Sequence, residues 1–278
     1  MYDKKLVEGA IKRLRAFEPP EGYYLAFSGG KDSLVAFELA RMAGVKFDAH
    51  TSITGRTHDE SVDPPELIEF IDRFYAESEL VFSNTTMWEL IVKKLMPPTR
   101  MVRYCCNPLK QRNDKRRTAI TGVRWAESAK RKKLRAMLEI NLLSKHMQKA
   151  NDILSGLEIL ANSKMRTRHV LNPIVDWTDN DVWSFIHHFS YPYLRLYDEG
   201  FKRLGCIGCP MGGCRNMQRE FARYPLHYKK YLEAFEKMID ARKERGYGLN
   251  FFENPMAVMH WYMYGNQVKK QLPGQLEL

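Results

Sequence analysis

The apolar run Tyr23-Tyr24-Leu25-Ala26-Phe27 leads straight into Ser28-Gly29-Gly30-Lys31-Asp32-Ser33, and then into the helical pattern Leu34-Val35-Ala36-Phe37-Glu38-Leu39. Strand, glycine turn and helix start follow one another in the order that a phosphate cradle requires. The glycines let the backbone turn tightly and approach an anion. The N–H groups of the first helical turn have no intrahelical partner and point at the bound oxygens. Ser28 and Ser33 add hydroxyl donors and Lys31 a positive charge. The string is shorter than the G-x-x-x-x-G-K-[ST] loop that wraps a whole triphosphate.

Strands alternate with helices along much of the chain. Val7 to Phe17 reads as an amphipathic helix stopped by Pro19-Pro20, and Lys46 to Ile53 as a second strand. A polar turn-rich stretch, 54–65, precedes a helix over 66–75, a brief strand at 80–82 and a helix over 87–95. Arg117 to Val123 and Val170 to Val175 are further strands, and Leu138, Leu142, Met147, Ile153, Leu157 and Leu160 predict helix between them. Thr178 with Asp181 three residues on marks a helix start, and helices follow over 225–245 and 256–264. The pattern predicts an α/β fold, a mostly parallel twisted sheet with helices on both faces, in which ligands sit at the carboxyl ends of the strands.

The 278 residues carry a formal net charge of +11, which favours an anionic partner: a nucleotide, a nucleic acid or an acidic protein. No segment is long and apolar enough to span a membrane, and Met1-Tyr2-Asp3-Lys4-Lys5 lacks the apolar core of a signal peptide, so the expected location is cytoplasmic. The five cysteines are an odd, clustered set, which argues against a secreted disulfide framework and for metal or redox chemistry.

Cys105-Cys106 and Cys206-Ile207-Gly208-Cys209 are two pairs a hundred residues apart, with Cys214 close behind the second. Two distant pairs are what four thiolates on one iron–sulfur cube or one tetrahedral zinc require. Glycine and proline around Cys206 and Cys209 leave backbone N–H groups to turn toward sulfur. The residues alone leave iron and zinc both open.

The string Ser28 to Ser33 resembles the pyrophosphate (PP) loop of the adenine nucleotide alpha-hydrolase superfamily. Thr121-Gly122-Val123-Arg124-Trp125-Ala126-Glu127-Ser128 with Arg131, Asn172-Pro173-Ile174-Val175-Asp176-Trp177-Thr178 with Asp181-Val182-Trp183, and Tyr197-Asp198-Glu199-Gly200-Phe201 resemble, in order, segments of the phosphoadenylylsulfate (PAPS) and adenylylsulfate (APS) reductase family. The resemblance runs from about Tyr23 to Cys214. It implies a Rossmann-like PP-loop domain over 1–215, with a helical insertion at about 137–165, and a C-terminal helical extension over 216–278. It also implies that Ser28, Gly29, Gly30, Lys31, Asp32, Ser33, Gly122, Arg124 and Arg131 hold the nucleotide phosphates, with Asp32 orienting the loop or magnesium and Arg124 stabilising a leaving pyrophosphate. A 4Fe–4S cluster on Cys105, Cys106, Cys206 and Cys209 is implied likewise, with zinc the alternative. Asp63-Pro64-Pro65-Glu66 stands where the family has an acidic loop, a further expected nucleotide contact. The basic residues Lys130, Lys132, Lys133 and Arg135 are expected on a solvated helix face, and Trp177 and Trp183 in the core.

One departure bears on the reaction. Reductases of the family carry a nucleophilic cysteine in a C-terminal Glu-Cys-Gly-x-His type string, whereas no cysteine follows Cys214 here. Cys214 is therefore expected as a further cluster ligand, a sulfur carrier or the nucleophile itself. The favoured expectation is ATP-dependent adenylation coupled to sulfur transfer, with nucleic acid among the expected acceptors, as in the DNA phosphorothioation branch of the family. The alternatives are thiol-dependent APS or PAPS reduction and a binding protein with a structural metal. The expected partners are an adenine nucleotide, a sulfur or electron donor protein such as a thioredoxin-like protein or a cysteine desulfurase, and a second copy of the chain in a homo-oligomer.

Overall fold

The computed structural model describes residues 2–110, 117–141, 147–161, 168–249 and 252–265. In chain order the elements begin with α1 (Lys4–Ala16), β1 (Tyr23–Ala26), α2 (Lys31–Ala43), β2 (Phe47–Ile53), α3 (Pro65–Phe74), β3 (Glu79–Phe82), α4 (Met87–Lys94), α5 (Cys106–Leu109) and β4 (Ala119–Ile120). They continue with α6 (Ala129–Leu134), β5 (Leu138–Asn141), β6 (Met147–Ala150), α7 (Ile153–Ala161), β7 (Arg168–Leu171), α8 (Asp179–His188), α9 (Cys214–Arg223), α10 (Pro225–Glu244) and α11 (Pro255–Tyr264). The chain divides into two compact units: Met1–Ser52, Pro65–Val81 and Arg112–Leu204 form the first, and Ile53–Pro64, Phe82–Gln111 and Gly205–Leu278 the second.

The first unit is built on a sheet whose order, among the described residues, is β3-β2-β1-β4-β7-β5-β6. β1 runs parallel to β2 and β4, and β4 parallel to β7, with Leu25 opposite both Ala49 and Ile120. The successive residues Tyr23, Tyr24 and Leu25 are all at most 2 % exposed, so both faces of the central strand are covered and the strand reads as an unbroken apolar run. From β1 the chain crosses to β2 on one side, while β4 pairs on the other. The carboxyl end of β1 is thus the switch point at which such sheets bind ligands. α2 buries Leu34, Val35, Phe37 and Leu39 and stops at Gly44, whose φ of 68° is the left-handed turn that ends a helix at low cost in glycine. α8 begins as expected, with Thr178 and Asp181 forming a reciprocal capping box.

The second unit has a core of its own. Ile91 of α4, Phe221 of α9, Tyr231, Phe235 and Met238 of α10, and Val258 and Tyr262 of α11 pack together. Trp88 meets Tyr231 edge to face at 5.0 Å. Thr86 and Glu89 cap α4 reciprocally, and Pro225 opens α10 at the position where a missing N–H costs nothing.

Two expectations are corrected. The stretch expected as a helical insertion at about 137–165 contains the antiparallel pair β5 and β6, with β5 also antiparallel to β7; among its described residues helix is confined to α7. Leu138 and Ile140 alternate with Glu139 and pack into the sheet core, a period of two that the wider spacing of leucines masked. Residues 142–146 and 162–167 of that stretch lie outside the described residues, as does the C-terminal string 266–278. The division expected at residue 215 also differs: the C-terminal helices belong to a unit that includes 53–64 and 82–111. Those two segments carry Val62, Met87, Leu90 and Leu109 into the same apolar core, a long-range association with no local sequence signal.

Candidate nucleotide site and candidate thiol centre

On the first unit, Ser28 to Ser33 leaves the end of β1 and opens α2, with Gly30 as its N-cap. Gly29 has a φ of 66° and is appressed to Leu67. The loop is drawn shut by its serines: Ser28 and Ser33 share a hydroxyl hydrogen bond of 3.0 Å, Ser33 Oγ accepts the Ser28 N–H, and it donates to the Gly30 carbonyl. Gly122 follows β4 and abuts the loop. A Cβ there would lie 2.5 Å from the Asp32 carbonyl and 2.7 Å from the Ser33 nitrogen, so no larger residue fits without moving backbone.

Lys31, Asp32 and Arg124 come together, and a fourth residue joins them. Arg124, 2 % exposed, donates from Nε to Asp32 Oδ1 at 2.8 Å, from Nη1 to the Trp177 carbonyl at 3.2 Å and from Nη2 to Asp179 Oδ1 at 2.9 Å. Lys31 Nζ donates to the same Asp179 oxygen at 2.7 Å and to Asp32 Oδ1 at 3.1 Å. One carboxylate oxygen therefore sits between two cations, where an oxygen of a phosphate would find both. Burial works to raise the pKa of the Asp179 carboxyl, but hydrogen bonds and charge from Lys31 and Arg124 outweigh it and hold the group below the usual carboxylate range. The Tyr197 hydroxyl accepts the Lys31 backbone N–H at 3.0 Å, and burial pushes its phenol pKa up, so it remains a neutral acceptor.

Arg131 lies at the edge of this group. It pairs with Glu127, whose carboxylate also accepts the Arg124 N–H at 3.1 Å, and Asp32 contributes to its electrostatic surroundings. Lys130, Lys132 and Lys133 are exposed on α6, and Trp177 is buried, both as expected; Trp183 is half-buried against Tyr197 at 5.1 Å. Asp179 and Tyr197 had no assigned role in the sequence. Asp179 carries a faint signal as the first residue of a Thr178-capped helix, where acidic residues are common.

The thiols all belong to the second unit. Cys105 is buried and Cys106, which opens α5, is exposed; Cys206 and Cys209 are half-buried. Cys105 is hydrogen-bonded to Cys106 and lies within electrostatic reach of Cys206 and Cys209; that hydrogen bond, then burial, pushes its thiol pKa far up. Burial pushes Cys206 up to about 12, against the opposing charge of Lys110. Lys110 hydrogen-bonds Cys206, and its pKa is raised by Cys206 first and also by Asp63, whose Oδ1 lies 4.0 Å from Nζ. The early and late pairs thus share one locality with a cation.

Cys214 stands at the first position of α9, after Gly213. Among the described residues no three His, Cys, Asp or Glu side chains stand arranged to hold a metal ion. What fits a soft metal is the donor set: four thiols within electrostatic reach of one another, whose protons a metal would displace.

Asp63 departs from the nucleotide contact expected of it. It is buried in the second unit, where Oδ2 accepts from the Thr54 N–H and hydroxyl and from the Ser61 hydroxyl. The N–H groups expected to face sulfur also divide: Met211 N–H turns to Cys209, whereas those of Ile207 and Gly208 go to Val62 O and to Glu220. Lys110 and Glu220 were not legible as site residues, since each lies among ordinary charged positions of a helix or turn.

Comparison with known proteins follows the same segments. The profile of the phosphoadenosine phosphosulfate reductase domain matches residues 22–211. An uncharacterised protein of Methanocaldococcus jannaschii is 31 % identical over 80 % of this chain and 48 % of its own length; a second from that organism is 27 % identical over 72 % and 39 %. The chain therefore spans about half, or less, of these curated relatives. An adenosine 5'-phosphosulfate reductase of Allochromatium vinosum is 26 % identical over 66 % of each chain. Among solved structures, a phosphoadenylyl-sulfate reductase of Candida auris in a phosphate complex aligns at 14 % identity with a TM-score of 0.44, covering 74 % of this chain and 96 % of that one. The FMN adenylyltransferase of Candida glabrata aligns at 17 % and 0.43, covering 74 % and 62 %. With the domain match spanning the glycine loop, Gly122, Arg124, Tyr197 and all four paired cysteines, the last of them two residues before its end, this chain belongs to the phosphoadenosine phosphosulfate reductase family.

Proposed function

We propose that the chain is an enzyme of sulfur metabolism that binds an adenine nucleotide at Ser28–Ser33 and catalyses ATP-dependent adenylation of an acceptor, coupled to sulfur transfer. The observation that carries this reading is the single Asp179 oxygen held by both Lys31 Nζ and Arg124 Nη2, at 2.7 and 2.9 Å. Two donors already converge where pyrophosphate oxygens would sit, so charge developing on the leaving group meets fixed partners rather than reorganising ones. In the adenylation step an acceptor oxygen attacks the α-phosphorus and the bond to the bridging oxygen breaks. Pyrophosphate leaves with that electron pair, steadied by Lys31, Arg124 and the first-turn N–H groups. Ser28 and Ser33 orient the phosphates, Asp32 orients Arg124 and Lys31, and Arg131 supplies charge at the rim. A sulfur nucleophile from a donor protein then displaces AMP.

Cys105, Cys106, Cys206 and Cys209 would hold an iron–sulfur cluster, which supplies redox or sulfur-binding chemistry when bound; zinc is the alternative occupant. Lys110 would balance the thiolate charge. The relative named as an adenosine 5'-phosphosulfate reductase favours a second reading, in which a thiolate attacks the sulfur of adenylylsulfate. Protein prepared without oxygen separates the two. Pyrophosphate release from ATP that depends on Lys31 supports the first, and sulfite release from adenylylsulfate with a thiol donor supports the second. Loss of brown colour and of iron in Cys206→Ala tests the cluster.

A further inference from the structure

The two residues inside the Cys206-x-x-Cys209 turn are tied down at every backbone polar atom. Ile207 N–H donates to the Val62 carbonyl at 2.6 Å, and the Ile207 carbonyl accepts from the Tyr231 hydroxyl at 3.0 Å. Gly208 N–H donates to Glu220 Oε2 at 2.7 Å, and the Gly208 carbonyl accepts from the Tyr262 hydroxyl at 2.6 Å. Cys209 N–H closes the turn on the Cys206 carbonyl at 3.1 Å.

Three of these partners are side chains, and each is buried: Glu220 on α9 is 5 % exposed, Tyr231 on α10 0 % and Tyr262 on α11 7 %. Glu220 is itself aimed by Asn216, one helical turn earlier, whose Nδ2 donates to Oε1 at 2.5 Å. Gly208, at a φ of 74°, lets the rings close in, since a Cβ would lie 2.7 Å from Phe221 and 3.0 Å from Tyr231. A buried carboxylate and two buried hydroxyls spent on one dipeptide are more than a surface turn needs. Each would cost free energy to bury without its partner.

We propose that Glu220, with Tyr231 and Tyr262, is a positioning device that presets the spacing and direction of the Cys206 and Cys209 sulfurs before any metal arrives, one residue coming from each C-terminal helix. The idea rests on the reading that these thiols bind a soft metal. It assigns the C-terminal helices a purpose that this reading leaves open, that of an outer shell orienting two ligands through the backbone between them. Glu220 acts through the Gly208 N–H. Its charge also lies within electrostatic reach of Cys209, a direct effect that Glu220→Gln removes while it keeps the acceptor for Gly208.

The test uses the full chain in its metal-free, reduced form, with Glu220→Ala, Glu220→Gln and Tyr262→Phe variants. Iodoacetamide labelling read by mass spectrometry at each cysteine needs no metal. Glu220→Ala is expected to accelerate labelling of Cys206 and Cys209 about tenfold, as loss of a buried hydrogen bond would, with Cys105 and Cys106 unchanged. Glu220→Gln, which keeps an acceptor for Gly208, is expected to restore most of the protection, and Tyr262→Phe to give a smaller effect confined to the same pair. Titration with Co2+ alone, followed by its thiolate charge-transfer band, is expected to show affinity lowered about 10- to 100-fold in Glu220→Ala.

Unchanged labelling, or equal acceleration at all four thiols, overturns the proposal. If Glu220→Ala does not fold, a Tyr262→Phe protein without selective acceleration does the same. If the unsubstituted protein gives no thiolate band with Co2+, the metal reading fails, and the labelling pattern still decides whether the turn is preset.

Discussion

At the scale of single residues, Lys31 and Asp32 of the glycine loop form with Arg124 and Asp179 a balanced group of four charges, and its balance predicts what substitution does. Lys31→Ala removes a donor from the place where charge develops on a leaving pyrophosphate, and the expected loss in kcat/KM for the nucleotide is about 100-fold or more. Asp179→Asn acts in the opposite direction on binding. Freed of the carboxylate that now spans them, Lys31 and Arg124 are expected to bind inorganic pyrophosphate several-fold more tightly, about the value of one partly exposed ion pair, in isothermal titration. The same carboxylate gives a pH signature. Its folded pKa is depressed below the unfolded value of 3.8, so its contribution to stability is present above about pH 4 and is lost as pH falls through the folded pKa. Acid unfolding followed by circular dichroism is expected to be shallower below pH 4 in Asp179→Asn.

At the scale of elements, the glycine loop and Gly122 meet because two strand ends deliver their turns to one place. β1 and β4 are parallel neighbours, with Tyr24 opposite Ala119, so the loop after each leaves the sheet at the same edge. Gly122→Ala would drive a methyl group into the Asp32 and Ser33 backbone. We expect a loss of about 1–3 kcal/mol in denaturant unfolding and a rise in KM for the nucleotide, because the loop must shift to make room. α8 shows how local signals and long-range function meet. Thr178 caps the helix as its spacing with Asp181 predicts, while Asp179 between them reaches Lys31 of the loop from 148 residues away in sequence. Thr178→Ala is expected to cost about 1 kcal/mol, read by thermal unfolding, and, by displacing Asp179 from the two cations, to shift pyrophosphate binding in the same direction as Asp179→Asn.

At the scale of the whole molecule, two apolar cores coincide with the two compact units, one around β1 and α2 and the other around α4 and α10. Phe235→Ala empties a fully buried position of the second core and is expected to cost about 3–5 kcal/mol there. Hydrogen exchange is expected to quicken across α10 and α11, with the amides of α2 unaffected.

The first unit was largely legible along the chain. Its strands and helices carry their own periodicity, its caps their own residue types, and Gly29-Gly30 before an apolar helical run specifies a strand-to-helix turn through backbone chemistry alone. The hairpin at β5 and β6 escaped because four-residue strands supply too few alternations to outweigh scattered leucines. The make-up of the second unit, the convergence of Cys105 with Cys206, and the arrival of Asp179 between Lys31 and Arg124 arise from chain segments that meet only after folding. Residue type states what a side chain can donate, accept or neutralise. Which partner it meets is set by burial and packing over distances that no local pattern records.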